Sequence, residues 1–137
     1  MDGKITKEQA IQEIQKFVEK YDDKKKLDWE VENDYPHVIE AIMLGLLYFD
    51  DSMKPSYVLK YPIKNEEGED SITQIDFRTR IKPNDLANVM KGLDIAKNQI
   101  EYTLRCLSYI TKQNKAMLDK FEKFDYKVIE QVSTVFL

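Results

Sequence analysis

The sequence predicts an α+β fold, a mainly helical single domain in which one antiparallel β-hairpin packs against about five or six helices. Three observations carry this prediction. Two short segments alternate apolar and polar side chains on either side of a polar, glycine-bearing loop at residues 64–70. On both flanks of that hairpin, apolar residues recur instead at three- and four-residue spacing, the signature of amphipathic helices. The length, 137 residues, suffices for one hydrophobic core and does not require two. Residues 1–53 are accordingly expected to be an N-terminal helical segment of the same domain that holds the hairpin and C-terminal helices of residues 54–137.

Thr6 and Gln9 have the spacing of a capping box, in which each side chain serves the other's backbone N–H. A helix begins there and carries Ala10, Ile11, Ile14, Phe17, Val18 and Tyr21 on one stripe, ending near Asp22. Residues 23–34 are charged and are expected to form a solvated connection, with Trp29 pinning it to the core. Asn33 or Asp34 then caps a second helix with Pro36 in its first turn, where a missing N–H costs no hydrogen bond. From Val38 to Phe49 the chain is almost wholly apolar. A helix apolar on all sides is either the central core helix or keeps one face for another chain. The core assignment is preferred because a small domain needs one.

In the hairpin, Tyr57, Leu59, Tyr61 and Ile63 share one face of the first strand, and Ile75, Phe77 and Ile81 one face of the second. Pro62 has no N–H to give a ladder, so the first strand is expected to lie at an edge or to stop there. Gly68 supplies the turn. Pro83, Asn84 and Asp85 open a short helix bearing Leu86, Val89, Met90 and Leu93. A longer helix is predicted over about residues 94–111, with Ala96, Ile100, Leu104, Leu107 and Ile110 as its stripe. Met117, Leu118 and Phe121 mark a short helix. Asp125 caps the last one, which presents Ile129, Val132 and Phe136.

The composition limits function more than it assigns it. Lys and Arg number 21 against 25 Asp and Glu, a net charge of −4. That balance offers no long-range attraction to nucleic acid or anionic lipid. No apolar run nears the ~18 residues of a spanning helix, and MDGKITKEQA lacks the apolar centre of a leader, so a cytoplasmic protein is expected. Cys106 is the one cysteine and His37 the one histidine. A Cys/His metal cage and the usual Ser/His or Cys/His nucleophile pairs therefore lack parts, and no phosphate-binding or dinucleotide fingerprint occurs. The sequence is expected to be no enzyme and to take no cofactor. Arg78, Arg80 and Lys82 line the outer face of the second strand, more as a charged edge against sheet-to-sheet pairing than as a phosphate site.

Read as one pattern, the segment from Tyr57 to Leu137 resembles the phage tail assembly chaperones of the E/41/14 type, which are Mu-like. Its carriers are LKYPI at residues 59–63, the turn at Gly68, and ITQIDFRTRIKPND with Phe77, Arg78, Pro83 and Asp85 followed by Leu86. After these come Glu101 and Leu104, SYIT at residues 108–111, Leu118, and FDYKVIEQVSTVFL with Asp125, Tyr126, Ile129, Val132, Phe136 and Leu137. Residues 1–53 lie outside the resemblance. It implies a non-enzymatic protein of the infected bacterial cell or lysogen, absent from the mature virion. Such a protein coats apolar helical stretches of the tape-measure protein and recruits tail tube protein, in several copies, which leaves a homo-oligomer open. Nucleic acid and membranes are not expected partners. The resemblance further implies that a minority of ribosomes shift frame near the end of the gene to give a longer product. The partner surface is expected to draw on Leu44, Leu47, Phe49, Tyr57, Leu59, Phe77, Phe136 and Leu137. A different class remains beside it: a small acidic immunity-type or regulatory protein that neutralises one folded partner.

Overall fold

The computed structural model describes residues 5–137. Residues 1–4, which the expectations about a leader and about segment 1–53 both include, lie outside the described residues. The first helix, α1 (Lys7–Asp22), starts on the expected capping box. Thr6 Oγ1 accepts from the Gln9 N–H at 3.1 Å while Gln9 Oε1 accepts from the Thr6 N–H at 2.9 Å. Its stripe Ala10, Ile11, Ile14, Phe17 and Val18 is buried.

The charged connection expected next contains a helix, α2 (Asp28–Asp34). The side chain that fastens it is Val31, fully buried, whereas Trp29 is 67% exposed. At ~100° per residue, two positions apart means nearly opposite faces, so burying Val31 turns Trp29 outward. Helix α3 (Pro36–Met43) follows with Pro36 at its first position.

The apolar run beyond it is not one helix. The Leu46 N–H donates to the Ala41 carbonyl at 2.9 Å and the Gly45 N–H to Ile42 at 3.0 Å. This is a Schellman ending, and it needs the left-handed residue that Gly45 supplies at φ 77°. The chain then reverses into strand β1 (Leu47–Phe49), which buries Leu47 and exposes Tyr48. The expected hairpin is therefore a three-stranded antiparallel sheet in the order β1, β2, β3, with β2 (Pro55–Lys64) central and β3 (Asp70–Asp76) outside.

Pro62 is compatible with a central strand for two reasons. The pairing to β1 covers only Pro55 to Tyr57, and the register to β3 shifts between Val58 and Ile63. Proline therefore sits where the ladder is already broken. The same bulge ends the strict alternation. Tyr57, Leu59 and Ile63 are buried, but Tyr61 turns to solvent. Gly68, at φ 80°, closes the β2–β3 turn as expected.

The remaining chain forms α4 (Pro83–Val89), α5 (Gln99–Thr111), α6 (Lys115–Leu118) and α7 (Lys123–Thr134). Helix α5 starts later than expected because turns occupy residues 90–98. Helix α7 packs on α3, α5 and β2, and α3 packs on α1. Rings from both ends of the chain close one side of the core: Phe17 lies 4.9 Å from Phe49 and 5.6 Å from Phe136, and Tyr21 lies 5.0 Å from Phe136. The core thus draws on residues 5–53 as fully as on the rest. No helix among the described residues is long and apolar enough to cross a membrane.

Candidate functional site

Asp125 is the one fully buried carboxyl among the described residues. It stands in the first turn of α7 rather than at the cap, which is Glu122. The Tyr57 hydroxyl donates to its Oδ1 at 2.5 Å, the Lys60 N–H to the same oxygen at 2.9 Å, and the Tyr61 N–H to Oδ2 at 3.1 Å. Those two N–H groups are the ones the β2 bulge takes out of the ladder. A fully buried N–H without a partner costs ~1–3 kcal/mol, and Asp125 spares these two part-buried groups a share of that cost. Burial first, and then the Asp125 carboxyl, push the Tyr57 hydroxyl far above the ordinary tyrosine range, so it remains a donor. Three donors from β2 occupy this carboxyl, so it joins β2 to α7 and is not free for a substrate. LKYPI and FDYK, two of the segments that carry the resemblance, touch at this point.

Other polar side chains serve in the same way. Gln131 Oε1 accepts from the His37 and Val38 N–H groups at 3.0 and 3.2 Å and thereby caps α3, while its Nε2 lies 3.1 Å from His37 Nδ1. Arg78 lies beyond the end of β3 and not on its outer face. Its N–H donates to the Ile110 carbonyl and its Nε to the Tyr109 carbonyl, each at 2.7 Å, and the guanidinium stacks 4.7 Å from the Tyr109 ring. Arg105 closes the end of α4 through the Val89 and Lys91 carbonyls at 3.1 Å. Glu101 is held by Lys115 and Arg105, whose contacts keep its carboxyl below the usual range. Cys106 is buried, and burial pushes its thiol up, which leaves it a poor nucleophile. Its polar neighbour is Tyr102, whereas that of His37 is Gln131. Among the described residues no three His, Cys, Asp or Glu side chains gather as a metal would need.

The eight residues expected at a partner surface separate into three groups. Leu47, Tyr57, Leu59 and Phe77 are buried and unavailable at the surface. Phe49 and Phe136 are half-buried in the aromatic cluster on Phe17. Leu44 and Leu137 are exposed, at 51% and 52%, on the ends of different helices. Among the described residues the largest apolar exposure belongs to one that the periodicity placed in the core. Ile100, 79% exposed, sits in the first turn of α5, and only the later turns of that helix are buried.

Ile100 borders a hollow that adjoins an apolar cleft. A cleft of about 290 Å³ lies between α5 and α7, with Tyr102, Cys106, Leu107, Gln131 and Leu137 among its lining. A second hollow of about 280 Å³, bordered by Ile100 and Tyr126, shares Thr103 and Glu130 with the first. The two together make one groove along the seam of the helices. Sequence reasoning missed it because each helix showed one apolar stripe and nothing in either stripe told how far the partner helix covers it. The only available signal was that Tyr102 and Cys106 flank the α5 stripe, which widens its apolar face. The chain has no significant match among protein-family models, curated proteins or solved structures.

Proposed function

We propose that this chain is a bacteriophage or prophage tail assembly chaperone: a non-enzymatic protein of the host cytoplasm that shields apolar helical segments of the tape-measure protein and helps recruit tail tube subunits. The observation that supports this reading is apolar surface left over after the core is filled. Phe17, Tyr57, Phe77, Ile110 and Ile129 are all inside, yet Trp29, Leu44, Ile100 and Leu137 remain in water on a chain that is 34% charged. Exposed side chains of that size do not stabilise the fold, and each is free to add apolar contact to a partner. The order of motifs from Tyr57 onward gives the surface its proposed client, and the polar side chains that could have served chemistry are engaged with backbone ends.

Apolar burial supplies the affinity, since a net charge of −4 provides little steering. Binding to an apolar helical fragment of the tape-measure protein encoded beside this gene should weaken less than about tenfold between low and moderate salt. A steeper loss would favour the acidic inhibitor that neutralises one folded partner. A gene neighbourhood without any long helical tape-measure protein would overturn the chaperone reading outright.

A further inference from the structure

The groove between α5 and α7 has the form and chemistry to take one helix. From Tyr126 to Thr134 it follows α7 for about 12 Å at the helical rise, or roughly two turns of an incoming helix. Its apolar surface comes from the Tyr102 ring, the Thr103 methyl and the exposed Leu137, and Ile100 stands at one end. The charged side chains that line it are Asp34 and Glu130, both acidic. Among the described residues each contacts one lysine, Lys26 at 3.2 Å and Lys127 at 3.7 Å. Such half-exposed pairs are worth little, so an incoming cation replaces them at small cost.

We propose that this groove is the docking site of an amphipathic helix whose apolar stripe, at i, i+3 or i+4 and i+7, lies on Tyr102, Thr103 and Leu137 while Lys or Arg beside the stripe meets Asp34 and Glu130. This rests on the chaperone reading for the identity of the natural helix but not for the existence of the site. The apolar stripe supplies the affinity and the two carboxylates select the flank, which keeps the salt dependence small.

The test uses the full chain and two designed helical peptides with the same leucine stripe, one flanked by lysines and one by glutamates. Amide chemical-shift mapping should place the lysine peptide on residues of α5 and α7, and calorimetry should show it binding about three- to tenfold tighter than the glutamate peptide. Thr103→Arg, which puts bulk and a cation into the groove, and Ile100→Ala, at a site too exposed to matter for folding, should each weaken it by about tenfold. Shifts that fall instead around Met43, Leu44 and Tyr48, or around Trp29, would overturn the groove. Equal binding of the glutamate peptide would overturn the basic flank. Self-association abolished by Thr103→Arg would make the occupant a second copy and overturn the proposal. The tape-measure fragment separates the two levels. A fragment that binds outside the groove removes the groove and leaves the chaperone reading, whereas a groove that takes the lysine peptide while the fragment binds nowhere does the reverse.

Discussion

Asp125 shows how much of this fold depends on single polar side chains. Replacing it with alanine strands the Tyr57 hydroxyl in the interior and takes the acceptor from the part-buried Lys60 and Tyr61 N–H groups. Asp125→Ala should therefore destabilise by about 3 kcal/mol or more in urea unfolding, and Tyr57→Phe, which leaves the two N–H bonds in place, by about 1–2 kcal/mol. The double variant should lose less than the sum, because a phenylalanine in place of Tyr57 presents no hydroxyl to be orphaned. Tyr57 also sets a pH limit. Its hydroxyl ionises near pH 10 when unfolded and far higher when folded. The stability linked to it is complete below pH 10 and declines above it, as the unfolded state alone releases the proton. Wild type should lose stability above pH 10 more steeply than Tyr57→Phe, by up to ~1.4 kcal/mol per pH unit. Equal slopes would mean that the tyrosine is not shielded.

At the scale of elements, side chains from distant elements close several element ends: Gln131 from α7 caps α3, Arg78 caps α5 and Arg105 closes α4. Local chemistry ends α3 instead, through Gly45. A Cβ there meets open space, so Gly45→Ala tests backbone conformation without a packing term. The positive φ should cost about 1 kcal/mol in alanine and less in asparagine, measured by thermal or urea melts. No loss in Gly45→Ala would mean that the division between α3 and β1 does not depend on the left-handed turn.

At the scale of the molecule, residues 5–53 are part of the core that covers β2 and α7. Phe17 meets Phe136, α3 lies on α7, and β1 completes the sheet beside Tyr57. A fragment beginning at Ser56 exposes several large side chains worth about 1.5–3 kcal/mol each, against a total stability of only ~5–15 kcal/mol. It should lack a cooperative thermal transition by calorimetry and circular dichroism. A sharp melt from that fragment would show instead that the N-terminal helices are an accessory layer.

What the sequence determined by itself is what short-range physics decides. Thr6 and Gln9 start α1, Pro36 opens α3, Gly68 turns the hairpin, and the period of the apolar residues assigns Ile14, Tyr57 and Ile129 to inward faces. Each depends on neighbours within a few positions along the chain, so each is legible there. The apolar run around Gly45 reads as one helix, and it takes the left-handed turn at Gly45 and the sheet partner at Pro55 to Tyr57 to divide it into α3 and β1. The tertiary structure alone decided that Tyr61 leaves the strand face, that Asp125 goes inside to meet the bulge, that Trp29 points outward, and that Ile100 stands clear at the end of a groove. A periodicity identifies an apolar face without naming what covers it, and the cover comes from elements tens of residues away. The candidate site is that difference: the surface between α5 and α7 that the other described residues leave open, with Asp34 at its edge.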